Sequence, residues 1–310
     1  VVYSAAIHHG ARLDAYYPNE LKTYAEYNNW TPRNSDNKYE GFYTLKGALS
    51  KSINTIAVDV LLQTGIDTVI NHARRLGITS ALPPYPSLAL GVANLSLQEM
   101  INPFLCFADN GRFAPQYYLS EIRDREGNIL FKTVPETATE ALPAHEAHLM
   151  SNILASVINE GTGQRLRSTY GLTNELAGKT GTTQNQVDGW FIGYNPKIVI
   201  GVRVGANDVN IHFNSIRLGQ GASMALPIFG ELMHRCVDSY TYENWNNLTF
   251  PVILPHDEKR MDIPEFKEQL NVIDRLTNRK LEKTEYPDLQ EKKKERKEGF
   301  FKRLFGKKNQ

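Results

Sequence analysis

Apolar residues recur along much of the chain at the period of a helix with one buried face. Between residues 96 and 110 an apolar side chain returns at every third or fourth position. The same spacing predicts helices over residues 44–64, with an interruption, and over 67–76, 145–160 and 225–237. Thr44 suits the start of the first helix, and Gly65 follows its end at the usual position of a C-terminal cap. We therefore expect a helix-rich domain.

In the second half of the chain the helical period gives way to strands. Residues 175–183, 189–194 and 198–204 are short and rich in β-branched or aromatic side chains, and Asn195-Pro196 marks a tight turn. We expect these three segments to form an antiparallel meander. Residues 122–131 predict a separate hairpin that turns near Gly127. Residues 11–43, rich in Tyr, Asn and Pro, predict a long ordered loop or short strands.

Core-forming residues become scarce from about Pro251, and the density of charge rises. We therefore predict a domain over residues 1–250 and a charged C-terminal extension over 251–310 that is largely disordered. An alternative for the end of the extension is a short basic amphipathic helix that touches a membrane surface or a partner. Its apolar residues would be Phe300, Phe301, Leu304 and Phe305.

Composition narrows the range of functions. The chain has 310 residues with 41% hydrophobic residues and a net charge of +1, which gives no electrostatic reason to expect nucleic acid as a partner. The only cysteines, Cys106 and Cys236, lie in apolar stretches and predict two buried thiols. Clustered metal ligands are missing from the sequence, so we expect no metal and no cofactor. No run of about 18 apolar residues is present.

The segment Lys179-Thr180-Gly181-Thr182-Thr183 gives the strongest local signal for chemistry. Strand alternation places Lys179 on one face and Thr180 and Thr182 on the other. Gly181 has no side chain, so an extended peptide can lie against the backbone there and pair with an edge strand. The simpler alternative is an ordinary strand with a solvated lysine. The run Asp-Gly-Trp-Phe at 188–191 favours the functional interpretation.

A second signal is the triplet Ser52-Ile53-Asn54, which lies where an apolar helix pattern breaks and restarts. Such a junction can direct polar side chains rigidly into a cleft. The alternative is local capping, since Ser and Asn favour helix ends. A competing triplet, Ser35-Asp36-Asn37, lies among polar residues with no apolar element to fix it, and we interpret it as loop.

Taken in order, these motifs resemble those of penicillin-binding proteins, most of all the bifunctional class A enzymes. Ser-x-Asn type and Lys-Thr-Gly signatures are typical of that group. The resemblance covers about residues 1–238, and further stretches follow the family order at 86–91, 161–163 and 219–221. The family's Ser-x-x-Lys is missing from any suitable helix start, whereas Val1–Ala6 resembles the stretch that follows it. We therefore expect a fragment whose nucleophilic serine lies roughly half a dozen residues before Val1.

The resemblance implies an α+β fold of the β-lactamase-like kind, with a mainly antiparallel sheet between helices in three layers. It implies a D,D-transpeptidase that cross-links peptidoglycan by serine acyl transfer from stem peptides ending in D-Ala-D-Ala, and that binds β-lactam antibiotics. The parent protein would carry an upstream glycosyltransferase domain and face outward from the cytoplasmic membrane, where other cell-wall proteins are available as partners. We expect these 310 residues alone to be inactive, because the nucleophile is missing.

The resemblance also assigns roles to the motif residues. Ser52 would relay a proton toward the leaving amine, Asn54 would bind the substrate amide and orient the missing lysine, and Lys179 would supply positive potential. The hydroxyl groups of Thr180 and Thr182 would hold the terminal carboxylate, and the Thr182 N–H would form half of an oxyanion hole. The substrate-binding strand as a whole comprises Thr180, Gly181, Thr182 and Thr183.

Three alternatives stay open. Within the same chemistry the parent could be a monofunctional transpeptidase, a D,D-carboxypeptidase or a serine β-lactamase. A non-enzymatic module that binds stem peptide is the second alternative, although a scaffold has no need of Ser52, Asn54 and Lys179. Nucleotide binding at Gly161-Thr162-Gly163 is the third, and it lacks the full glycine spacing.

Overall fold

The described part of the chain comprises residues 1–208, 210–239 and 245–278 of a computed structural model. The α-helices, in chain order, are α1 (Val2–His8), α2 (Leu45–Ser50), α3 (Asn54–Thr64), α4 (Ile66–Arg75), α5 (Leu97–Ala108), α6 (Ala144–Asn159), α7 (Arg165–Ser168), α8 (Ile216–Gly219), α9 (Gly221–Met224), α10 (Leu226–Val237), α11 (Pro255–Met261) and α12 (Val272–Asn278). Short 3-10 turns occupy Ala25–Tyr27, Pro86–Leu90 and Gln184–Gln186.

In the described ranges, the strands form four small antiparallel sheets. They are β1 (Tyr17–Pro18), β2 (Phe42–Tyr43), β3 (Arg112–Phe113), β4 (Glu121–Arg123), β5 (Ile129–Lys132), β6 (Thr139–Glu140), β7 (Ala177–Thr182), β8 (Asp188–Tyr194), β9 (Val199–Gly205) and β10 (Phe266–Lys267). The spatial orders are β1-β2-β10, β3-β6, β4-β5 and β7-β8-β9, so the predicted meander and the predicted hairpin are both present.

The meander β7-β8-β9 is the middle layer of the domain. Phe191 and Tyr194 are three positions apart on β8, so their side chains leave opposite faces of the sheet. Phe191 packs edge-on against Phe229 of α10 at 4.9 Å between ring centroids. On the other face, Tyr194 packs against Phe104 of α5 at 6.0 Å and donates its hydroxyl to Ser151 of α6 at 3.0 Å. The sheet therefore lies between two helical layers, as expected.

The helix limits agree with the predicted caps. The Thr44 side chain accepts a hydrogen bond from the Gly47 amide at 3.1 Å and so caps α2, and the predicted interruption of the 44–64 helix falls between α2 and α3. Gly65 follows α3 with φ +96°, a conformation that side chains rarely adopt. Of the two cysteines, Cys106 is buried as predicted, whereas Cys236 is only half-buried because it lies in the last turn of α10.

The C-terminal extension differs from the expectation of disorder wherever the structure describes it. Residues 251–278 contribute α11, β10 and α12, and β10 adds a third strand to the β1-β2 pair. Most of the apolar residues there are exposed, but Ile253 packs into a core cluster with Leu149 and Ile153 of α6. Residues 279–310, which include the predicted basic amphipathic helix, lie outside the described residues.

Candidate active site

Ser52 occupies a strained backbone position between α2 and α3. The Ile53 amide donates to the Ala48 carbonyl at 2.9 Å, and the Ser52 amide donates to the Leu49 carbonyl at 3.2 Å. This pair of bonds is a Schellman motif, in which the residue after the cap adopts the left-handed conformation. Ser52 has φ +56°, where glycine is the usual residue. The helix junction therefore fixes the direction of the Ser52 side chain, as the broken apolar pattern indicated.

Asn54 begins α3, and a neighbouring loop holds that end of the helix. Asn54 donates its side-chain amide to the Arg33 carbonyl at 2.8 Å. The buried Asn34 side chain accepts a hydrogen bond from the Thr55 amide at 3.2 Å and so serves as the cap of α3 from a distant segment. Asn34 also donates to Asn19 at 2.7 Å. The described hydrogen bonds thus tie Asn54 to the loop around residue 33, and its role toward substrate stays a prediction.

Lys179 brings the two motifs together. It lies on β7, which is an edge strand of the described sheet, and pairs with Ile192 on the face that α5 and α6 cover. Its Nζ donates to Ser52 Oγ and to the carbonyl of Thr180 at 3.0 Å. Desolvation lowers the pKa of the Lys179 amine from 10.5 to about 8. Near neutral pH this amine can therefore release its proton more easily than an exposed lysine, and it lies in direct contact with the Ser52 hydroxyl.

Thr162 contacts both motifs, one through its backbone amide and the other through its hydroxyl, and it was not predicted as a site residue. Its amide donates to the Ser50 carbonyl at 3.2 Å, and its hydroxyl lies 2.7 Å from that of Thr180. Gly161 allows this approach, because a Cβ there would lie 2.4 Å from the Ser50 carbonyl oxygen. The Gly-Thr-Gly triplet at 161–163 was recognisable in the sequence, but its pattern does not indicate its partners. Ser50 lies more than a hundred residues before it, and Thr180 lies 18 residues after Thr162.

The remaining residues of the β7 motif have distinct surroundings. Thr182 accepts a hydrogen bond from the Gly221 amide at the start of α9 at 3.1 Å. A Cβ at Gly181 would lie 3.2 Å from the Cβ of Trp190 on β8, so the backbone there is closely covered on that face. The Thr183 hydroxyl accepts a hydrogen bond from the Asp188 amide at 2.8 Å, which closes the turn between β7 and β8. Thr183 thus has a structural partner, and its role toward substrate stays a prediction.

The competing triplet Ser35-Asp36-Asn37 lies in an exposed turn, as predicted. With Lys38 it forms a Ser-x-x-Lys sequence, but no helix carries it, and the Asn37 amide donates to the Asn34 carbonyl at 3.1 Å. A serine and lysine three residues apart face each other only on a helix, where one turn separates them. This tetrad therefore has the residues of the family motif without its geometry. In the described ranges, no group of three or more His, Cys, Asp and Glu side chains could hold a metal ion.

The fold is shared with penicillin-binding protein 1A from Haemophilus influenzae, whose crystal structure superposes with a TM-score of 0.71 at 23% identity. The superposition covers 77% of this chain and 41% of that one. It confirms the β-lactamase-like α+β fold that the resemblance implied. A family model of the penicillin binding protein transpeptidase domain matches residues 1–234. The chain belongs to this family.

Curated relatives carry the same family name. Penicillin-binding protein 1A from Aquifex aeolicus is 35% identical over 216 residues, which are 70% of this chain and 29% of that protein. Penicillin-binding protein 1A from Neisseria meningitidis serogroup A is 32% identical over 209 residues, which are 66% of this chain and 26% of that protein. The chain therefore spans between a quarter and a third of the length of these relatives.

Proposed function

We propose that the chain is the larger part of a D,D-transpeptidase domain that cross-links peptidoglycan by serine acyl transfer. The contact between the Lys179 amine and the Ser52 hydroxyl carries this proposal, because it joins the two family motifs across 127 positions of sequence. A hydroxyl beside an amine with a lowered pKa is suited to pass a proton to a leaving amine. Membership of the transpeptidase family makes a stem peptide ending in D-Ala-D-Ala the expected donor.

The edge position of β7 supports this substrate. An extended peptide can add to an edge strand through its backbone, with its terminal carboxylate near the positive charge of Lys179. The hydroxyl groups of Thr180 and Thr182 already bind Thr162 and Gly221, and the Thr180 hydroxyl also accepts a hydrogen bond from Lys179 Nζ at 3.4 Å. Carboxylate binding by these threonines therefore requires their hydroxyl protons to turn toward the ligand, and it remains part of the proposal.

We infer that neither Ser35 nor Ser52 is the nucleophile of the proposed reaction. Ser35 is exposed in a turn without a helix, and Ser52 is engaged by Lys179 rather than by a Ser-x-x-Lys partner. The test is incubation of the 310-residue chain with a fluorescent penicillin, followed by denaturing electrophoresis. We expect no covalent label on the chain or on its Ser52→Ala variant. Stable labelling that Ser52→Ala abolishes would show that Ser52 itself attacks the β-lactam, and the proposal would fail.

Product analysis separates the alternatives. A protein that contains this chain together with a catalytic Ser-x-x-Lys serine is expected to form dimeric muropeptides, and Lys179→Ala is expected to lower their yield at least about 100-fold. Trimmed monomers without dimers would instead identify a D,D-carboxypeptidase.

The bifunctional class A arrangement, the outward-facing location and the cell-wall partners belong to the same proposal. No helix in the described ranges is long and apolar enough to cross a membrane.

A further inference from the structure

The family match ends at residue 234, but residues 263–278, called here the docking segment, return to the helix that leads into Ser52. Strand β10 of the docking segment pairs with β2, which lies directly before α2. The Glu265 carbonyl accepts a hydrogen bond at 3.0 Å from the amide of Thr44, the cap residue of α2. The Glu265 side chain forms an ion pair with Lys46 at 2.9 Å.

Gly47 lets the docking segment reach the helix backbone. A Cβ at Gly47 would lie 2.6 Å from the Glu265 carbonyl oxygen and 2.9 Å from the Glu265 Cβ. Gly47 lies inside α2 with ordinary helical geometry, where alanine is the more favourable residue. Gly47 therefore makes α2 less stable than alanine would, but it leaves room for the docking segment to contact the helix backbone.

Tyr16 anchors the other half of the docking segment. The buried side-chain amide of Asn278 accepts a hydrogen bond from the Tyr16 backbone N–H at 3.0 Å and donates one to the Tyr16 carbonyl. Both backbone polar groups of Tyr16 are thereby satisfied. The Tyr16 hydroxyl donates to the Pro264 carbonyl at 2.8 Å. Lys267 lies 4.7 Å above the centre of the Tyr16 ring and forms an ion pair with Asp274 at 2.8 Å. The segment is thus held at both ends.

We propose that the docking segment positions Ser52 by clamping the start of α2. Helix α2 has only six residues, too few to be stable alone, so its orientation depends on what holds its two ends. The docking segment holds the start through Glu265, and Thr162 holds the end through the Ser50 carbonyl. Glu265 and Asn278 are positioning residues in this proposal, and their importance for catalysis rests on the function proposed for Ser52.

The test uses the full 310-residue chain with three single variants: Gly47→Ala, Asn278→Ala and the milder Tyr16→Phe. Hydrogen exchange measures the opening of α2, with α6 as the internal reference. Competitive acetylation followed by mass spectrometry measures the pKa of Lys179. We expect Gly47→Ala and Asn278→Ala to speed exchange in α2 about tenfold or more while α6 is unchanged. We expect the pKa of Lys179 to rise toward 10.5, because water enters as Ser52 moves away.

Ile273→Ala is the matched control, since this side chain lies in the same segment and is 74% exposed. It should leave both readouts at the parent values. Helix propensity alone would make Gly47→Ala slow the exchange of α2. Slower exchange in that variant, or parent values of both readouts in Asn278→Ala and Tyr16→Phe, would overturn the proposal. Neither readout involves penicillin or peptidoglycan, so the result stands apart from the outcome of the labelling and muropeptide assays.

Discussion

Replacement of Ser52 by alanine and by glycine separates the contribution of its hydroxyl from that of its backbone. Both substitutions remove the hydrogen bond from Lys179. Only glycine relieves the left-handed conformation, in which Ser52 has φ +56°. Both variants therefore lose the hydrogen bond from Lys179, and only Ser52→Gly gains stability from relief of the left-handed conformation.

The expected magnitudes follow from these two terms. A hydrogen bond to a charged group contributes about 1.5–3 kcal/mol to stability, and Lys179 keeps its bond to the Thr180 carbonyl, so we expect a loss near the lower limit. The left-handed conformation costs a residue with a Cβ about 1–2 kcal/mol. Glycine avoids this cost, but the greater conformational freedom of its unfolded chain lowers its stability by about 0.5–1 kcal/mol. Ser52→Gly should therefore be more stable than Ser52→Ala by about 0.5–1 kcal/mol.

Ser50 is the matched control two positions earlier. It lies in the last turn of α2 with ordinary helical geometry, and its buried hydroxyl has no hydrogen-bond partner in the described part of the chain. Glycine in a helix is less stable than alanine by about 0.5–1 kcal/mol. The order of the glycine and alanine variants should thus be opposite at Ser50 and Ser52.

Equilibrium unfolding in urea measures all four variants through their transition midpoints at a common slope. The difference in stability between the glycine and alanine variants should have opposite signs at positions 50 and 52. A general effect of glycine on the unfolded chain would give the same sign at both. If Ser52→Ala were as stable as Ser52→Gly or more so, Ser52 would not occupy the left-handed conformation in solution, and the Schellman motif would be refuted.

Two further predictions concern Thr162 and Lys179, which hold the surroundings of Ser52. Thr162→Val should lower the free energy of unfolding by about 1 kcal/mol, because the bond to the Thr180 hydroxyl is lost, whereas Thr162→Ser should keep it; urea midpoints decide this. The pKa of Lys179 is about 8 in the folded chain and 10.5 when unfolded, so the unfolded state binds more protons at this residue between these values, and the contribution of Lys179 to stability rises with pH across that window. Buried tyrosines such as Tyr3 have raised pKa values and act in the opposite direction at high pH, so the contribution is measured as the difference in free energy of unfolding between the parent and Lys179→Met. This difference should change in favour of the parent by at most about 3 kcal/mol from pH 7 to 11, and a difference that stays constant would refute the assignment.

Much of the fold was predictable because it depends on local periodicity. The helix and strand segments and the cap at Thr44 all follow from residues near one another in the sequence. The pairing of Lys179 with Ser52 was predictable only through the family resemblance, since no local pattern encodes a contact across 127 positions.

The rest of the fold could not be predicted because it depends on tertiary contacts that leave little trace in the sequence. Asn34 caps α3 from a loop that reads as irregular, and a cap supplied by another segment has no fixed spacing in sequence. The extension was predicted to be disordered because it carries few apolar residues, yet its described part binds through polar groups: the Glu265 backbone carbonyl, the Asn278 side-chain amide and the ion pair of Lys267 with Asp274. The distant partners of these groups have no fixed spacing in sequence, so composition could not reveal the contacts.

Strand β7 is an edge strand of the described sheet, and an edge that accepts a peptide, as proposed here, must not pair with a second copy of itself. A long apolar edge strand would pair with any exposed strand and lead to aggregation. Strand β7 carries two glycines, Gly178 and Gly181, which weaken strand pairing, and an inward-pointing charge at Lys179 that another sheet could not easily cover. Gly178, Gly181 and Lys179 therefore also disfavour self-association through this strand, besides the ligand binding proposed for it.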